Sequence, residues 1–127
     1  MKSERHRRAQ SQGSWAEHAA AQYLRLKGYR ILARGYRAPE GEIDIVARRG
    51  RVLVLVEVKA RPSIETAAYA IAPRQRRRIE RAALRFLSHH PRHADCDLRF
   101  DAILVSPWRL PRHVIDAWRP EGDSGHN

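Results

Sequence analysis

The chain contains a single cysteine, Cys96, so no internal disulfide can form and a reduced, cytoplasmic setting is expected. Long apolar runs are missing as well. The longest aliphatic run, Val52 to Val56, has five residues, whereas a membrane-spanning helix needs about 20, so no membrane partner is expected. Met1 to Gln12 is charged and polar with no apolar stretch behind it, unlike a secretory signal or a lipid anchor signal. No P-loop, Gly-rich dinucleotide loop or Ser/His/Asp order appears. His89, His90, His93 and Cys96 lack the paired-ligand spacing of a zinc site and read as a loop after a helix. Acidic residues are scarce: 14 stand against 25 basic ones, a net charge of +11. That surplus points to a polyanionic partner. Lysine occurs only at Lys2, Lys27 and Lys59, and the other 22 basic residues are arginines, which can also reflect genome composition.

What is present suits one globular domain. With 127 residues, 43% of them hydrophobic, the chain is too apolar for disorder and long enough for one core. Residues 1–12 read as a flexible basic arm, 13–118 as the domain and 119–127 as a disordered tail. Ser14-Trp15-Ala16-Glu17 has capping-box spacing and predicts a helix start, followed by the stripe Ala16, Ala19, Ala20, Tyr23 and Leu24, with Gly28 closing it. Strands are expected over Tyr29 to Arg37, Glu42 to Arg48 and Val52 to Lys59, with a turn at Pro39-Glu40-Gly41. Pro73 leads into a helix buried through Ile79, Ala82, Ala83, Phe86 and Leu87. Leu98 to Val105 and a short His113 to Trp118 complete the order αβββαβ(β), a mixed α/β domain.

The register of the central hairpin carries the chemistry. Gly50-Arg51 fits a two-residue turn with glycine first, which sets Asp44 opposite Glu57 and Glu42 opposite Lys59. The other face then pairs Ile43 with Val58, Ile45 with Val56 and Ala47 with Val54. Opposed carboxylates repel, and a hard divalent cation, Mg2+ or Mn2+, is the economical compensation. Lys59 projects from the same strand face as Glu57. Two carboxylates, a lysine and an arginine surplus point to phosphodiester hydrolysis.

Asp44 followed by Glu57-Val58-Lys59 across a hairpin, after a helix bearing Glu17, resembles the PD-(D/E)XK nuclease superfamily. The strings Gly13 with Ala16-Glu17, Gly28-Tyr29, Gly41-Glu42-Ile43-Asp44, Val56-Glu57-Val58-Lys59 and Arg99-Phe100-Asp101 resemble its YraN-like members, small bacterial proteins often labelled endonucleases. The resemblance spans Gly13 to Ser106 and implies a restriction-endonuclease-like αβββαβ core, a mixed central sheet flanked by helices. It implies Asp44 and Glu57 as metal ligands, the Val58 carbonyl as a further ligand, Lys59 as catalytic and Glu17 as an additional acidic member. Ile43 stands where the superfamily name has proline, and Gln75 where the YraN pattern favours lysine.

Plainer readings exist for the same residues. Glu42 with Lys59 and Asp44 with Arg61 could form surface ion pairs, and Glu17 could cap the Ser14 N–H. Asp101 could lean toward the site or cap the strand ladder. Trp15, Trp108 and Trp118 could stack on unpaired bases, though packing is the more common role. Arg61, Arg74, Gln75, Arg77, Arg78 and Arg81, with Arg76 and Arg85, form a candidate nucleic-acid ridge whose alternative is a solvated face. The expectation is a metal-dependent endonuclease acting on branched, flapped or single-stranded DNA, since no sequence-reading helix is evident. Its alternatives are a nucleic-acid-binding accessory protein without turnover and an adaptor for an acidic protein. Superfamily enzymes often form homodimers, but nothing in the sequence marks an interface.

Overall fold

A computed structural model describes residues 4–61 and 71–121, with side chains in the first helix from residue 15 onward. The chain forms α1 (Glu4–Leu26), β1 (Arg30–Ala38), β2 (Gly41–Arg49), β3 (Val52–Ala60), α2 (Pro73–His89), a 3-10 turn (Pro91–His93), β4 (Asp97–Val105) and β5 (Arg112–Trp118). The five strands pair in sequence order, antiparallel except for β3 with β4. α2 makes the crossover that a parallel pair requires. This is the restriction-endonuclease-like α/β order expected from the sequence.

Each helix covers one face of the sheet. α1 presents Ala16, Ala20, Ala21 and Leu24 to Ile45, Ala47, Val54, Val56, Ile103 and Val105. α2 presents Ile79, Ala82, Ala83 and Phe86 to Val46, Leu53, Leu55, Phe100 and Ala102. β3 is therefore apolar on both faces because both faces are covered. Two glycines set the approach of the elements. Gly28, at φ 89°, ends α1: the Gly28 N–H donates to Arg25 O and the Tyr29 N–H to Leu24 O, at 3.0 Å each. Gly41 lies against α2 so closely that a Cβ there would stand 2.9 Å from the Arg78 carbonyl oxygen.

Two expectations are corrected. α1 starts at Glu4, not at Ser14, so Ser14-Trp15-Ala16-Glu17 lies inside a helix rather than at its start. The segment before it is rich in Arg and Gln, good helix formers without an intervening proline, and propensity carries the helix back through it. Residues 122–127 of the expected tail lie outside the described residues. Second, Ile43 does not share a face with Ile45: it packs in the α2 cluster, while Ile45 packs under α1. The cause is a bend in β1 and β2 described below. Among the described residues no helix is long and apolar enough to cross a membrane.

Candidate active site

The β2–β3 hairpin adopts the expected register: Arg49 lies opposite Val52, Ala47 opposite Val54 and Ile45 opposite Val56, with Gly50 at φ 61° in the turn. The paired ladder stops at Ile45 and Val56, short of the expected pairs Asp44–Glu57, Ile43–Val58 and Glu42–Lys59, and Ile43 and Val58 pack under different helices. Beyond it the Val58 N–H donates to Asp44 Oδ2 at 2.8 Å, so the Asp44 side chain satisfies a backbone donor where the pairing ends. The Asp44 and Glu57 carboxyl groups lie close enough that each perturbs the other's ionisation.

Their surroundings shift both groups. Burial, and then the Glu57 charge, push the Asp44 carboxyl up to about 8, against the pull of the Val58 N–H. Burial likewise raises Glu57, while its contact with Asp44 and the nearby Lys59 oppose the shift. Lys59 Nζ stands 4.0 Å from Glu57 Oε2, and the two side chains are only 19% and 13% exposed. Glu17 reaches the same neighbourhood from α1. Its carboxyl is raised by burial and by the Asp44 charge, against Arg34, whose Nε lies 3.4 Å from Glu17 Oε1.

The bend that admits Glu17 comes from a residue absent from the sequence reading. Arg34 pairs with Ile45 and Tyr36 with Ile43, which leaves Gly35 facing Asp44. Gly35 has φ 63°, a conformation that favours glycine, and a Cβ there would lie 3.9 Å from Glu17 Oε1. Across this point the side chains change faces. Arg34 meets Glu17 beneath α1, whereas Tyr36 packs edge-on to Phe86 of α2. A glycine inside a strand pattern was the available signal for such a bend.

The plainer pairings of these acids are not the ones made. Glu42 bonds Arg37 at 3.1 Å rather than Lys59, and Arg61 donates to the Ala60 carbonyl at 2.8 Å rather than to Asp44. Asp101 belongs elsewhere. It accepts two bonds from Arg99 at 2.9 Å, one from His113 Nε2 at 2.7 Å and one from the Asp116 N–H at 2.9 Å, where the β4–β5 register shifts. It thus stands in for a missing ladder partner, and these contacts hold its carboxyl below the usual range against the opposing effect of burial.

The expected basic ridge divides. Arg74, Arg77, Arg78 and Arg81 are exposed on α2 and Gln75 is half-buried. Arg78 Nε donates to Glu40 O at 3.3 Å, and Arg85 forms an ion pair with the Glu40 carboxylate, so these two hold the β1–β2 turn. Arg77 and Arg81 border a cleft of about 490 Å3 with Phe100 and Trp118, and none of the site acids lines it. Trp118 is buried and stacked on Phe100, whereas Trp108 is fully exposed and Trp15 half exposed.

Two neighbouring half-buried carboxyl groups offer the oxygen donors that a hard divalent cation takes, usually with one or two carboxylates and water. Among the described residues no three His, Cys, Asp or Glu side chains form a group able to hold a metal ion. Any cation here would therefore rely on Asp44, Glu57, a backbone carbonyl and water.

A UPF0102 protein of Parvibaculum lavamentivorans is 57% identical over 108 residues, covering 85% of this chain and 81% of its own length. A second, from Paramagnetospirillum magneticum, is 52% identical over 118 residues, 90% of this chain and 92% of its own. A third, from Bradyrhizobium diazoefficiens, is 58% identical over 106 residues, 84% and 80% of the two chains. The model of the uncharacterised protein family UPF0102 matches residues 16–105, a span that holds Glu17, Asp44, Glu57 and Lys59. The chain belongs to UPF0102, the YraN-like family that its motifs resemble.

Proposed function

We propose that the protein is a metal-dependent endonuclease that hydrolyses phosphodiester bonds of DNA, selecting its substrate by structure rather than by sequence. The observation that carries this reading is the convergence of Asp44 and Glu57 where the hairpin ladder ends, with Lys59 Nζ 4.0 Å from Glu57. Asp44, Glu57 and the Val58 carbonyl would hold Mg2+ or Mn2+. Such an ion supplies a more acidic water and a polarised phosphoryl group when bound. Lys59 orients the attacking water or offsets charge developing on the phosphate. Glu17, set beside Asp44 through the Gly35 bend, adds an acidic group at the margin. The +11 charge and the exposed arginines of α2 draw in the polyanion, and among the described residues no helix of the recognition type offers a sequence reader.

The test compares wild type with Asp44→Asn and Lys59→Ala on single-stranded, flapped, branched and duplex DNA, with Mg2+, Mn2+ or chelator. Each variant is expected to lose at least about 100-fold in rate, the scale of removing one preorganised charge-stabilising group. Equal cleavage by Asp44→Asn would trace the activity to a contaminant and remove the enzyme reading. Calorimetric silence toward Mn2+, with DNA binding retained in Glu57→Gln, would leave a nucleic-acid-binding protein without turnover.

A further inference from the structure

The β4–β5 hairpin ends in a tip that the carboxylate site does not use. Because β3 and β4 are parallel, with Glu57 beside Ala102 and Lys59 beside Leu104, the tip leaves the sheet at the end where Lys59 stands. It reads Ser106-Pro107-Trp108-Arg109-Leu110-Pro111, and no acid occurs between Asp101 and Asp116. Trp108 is fully exposed, Leu110 is 80% exposed, and Trp108 has φ 64°, a strained conformation for a bulky side chain. Packing does not explain it.

Behind the tip lies an open cleft of about 490 Å3, bordered by Tyr23, Lys27, Arg109, Leu110 and His113. Lys27 is held in position there. Its ammonium donates to His113 Nδ1 at 2.7 Å, and His113, 1% exposed, donates through Nε2 to buried Asp101 at 2.7 Å. The chain Lys27–His113–Asp101 spans α1, β5 and β4 and fixes a cation at the wall of the cleft, which Arg109, the chain neighbour of the exposed Trp108, also lines. A fixed ammonium suits a backbone phosphate and an exposed indole face suits a base, and unpaired nucleic acid offers both at neighbouring positions.

We propose that the tip and cleft form a binding site for unpaired DNA, with Trp108 stacking on a base and Lys27 and Arg109 taking the adjacent phosphates. This deepens the nuclease reading, on which its choice of DNA rests, by naming the feature that would select flaps and single strands. A paired duplex keeps its bases stacked on each other and gives Trp108 no face to cover.

The experiment measures binding in chelator, so that cleavage plays no part, by anisotropy of labelled oligo-dT, a forked duplex and a blunt duplex. Trp108→Ala is expected to weaken oligo-dT and forked DNA about tenfold, within what one base–aromatic stack contributes, and to leave blunt duplex within about twofold. Trp108→Phe restores most of the loss. Lys27→Met lowers the slope of log affinity against log salt by about one for every DNA bound through the cleft, and Arg109→Ala repeats that effect without touching the Asp101 network. Unchanged affinity for forked DNA in Trp108→Ala, equal losses on forked and blunt DNA, or capture of an acidic peptide in place of DNA would each overturn the proposal. A protein that shows the Trp108 effect but never cleaves retains this site and loses only the enzyme reading. One that cleaves normally with Trp108→Ala indifferent loses only this site.

Discussion

Folding stability should fall with rising pH in the absence of divalent cation, and Asp44 is the main cause. Its carboxyl is raised from 3.8 to about 8 by burial and by the Glu57 charge. A carboxyl whose folded-state pKa is raised stabilises the fold fully below its unfolded value, and that stability is lost as pH climbs toward the folded value. Inside this window each pH unit costs about 1.4 kcal/mol per proton held, so moving from pH 5 to pH 7 removes up to about 3 kcal/mol. Glu57 and Glu17, both raised, act in the same direction. His93 opposes them in the lower part of the range. Burial holds its imidazole below the usual 6.5, so its contribution is present above that value and lost as pH falls. Asp101, lowered from 3.8, matters only in more acidic solution.

Asp44→Asn separates these effects. The amide keeps an oxygen for the Val58 N–H, which donates to Asp44 Oδ2 at 2.8 Å, and an N–H for Glu57, so it resembles the protonated acid without the ability to ionise. In urea denaturation with chelator, the variant should match wild type near pH 5 and exceed it by about 1–3 kcal/mol at pH 7. Mn2+ at pH 7 should raise wild type and leave the variant unmoved, as expected of a group that binds only the folded state. A wild-type-to-variant difference that is the same at pH 5 and pH 8 would refute the reasoning, because it would mean that Asp44 binds its proton equally in both states.

Other substitutions probe the frame around the site. Asp101→Asn leaves Arg99, 19% exposed, without its anion and should cost about 3–5 kcal/mol, seen as a fall in Tm of more than about 10 °C. Gly41→Ala places a Cβ 2.9 Å from the Arg78 carbonyl and should cost about 1–3 kcal/mol, with a matching drop in urea midpoint and an unchanged m-value.

The fold was largely legible because its elements are consistent at several levels. The apolar positions Ile79, Ala82, Ala83 and Phe86 have helical spacing and are all buried against the sheet. The turn at Gly50 fixed the hairpin register, and Ile45 does face Val56. The start of α1 was less legible, since Ser14 with Glu17 satisfies a capping pattern that also occurs inside helices. There the run of good helix formers from Glu4 outweighs the local cue.

Strand patterning reads only part of the candidate site, Glu17 having come from the family resemblance, and the rest has a physical reason. Strict alternation along β2 puts Ile43 and Ile45 on one side and Asp44 on the other, which brings Asp44 to Glu57 but gives no route to Glu17 on α1. That route is opened by Gly35 on the neighbouring strand, whose φ of 63° turns the β1–β2 pair so that side chains beyond it change faces. Nothing in the β2 sequence records this, because the bend originates one strand away and reaches Asp44 only through pairing. Gly35→Ala would place an L side chain in a conformation costing about 1–2 kcal/mol, and relief of that strain would draw β2 toward regular alternation and move Asp44 away from Glu17. The acidic pair reads from one hairpin, but the third acid depends on pairing between strands, which hydrophobic patterning along any one strand does not encode.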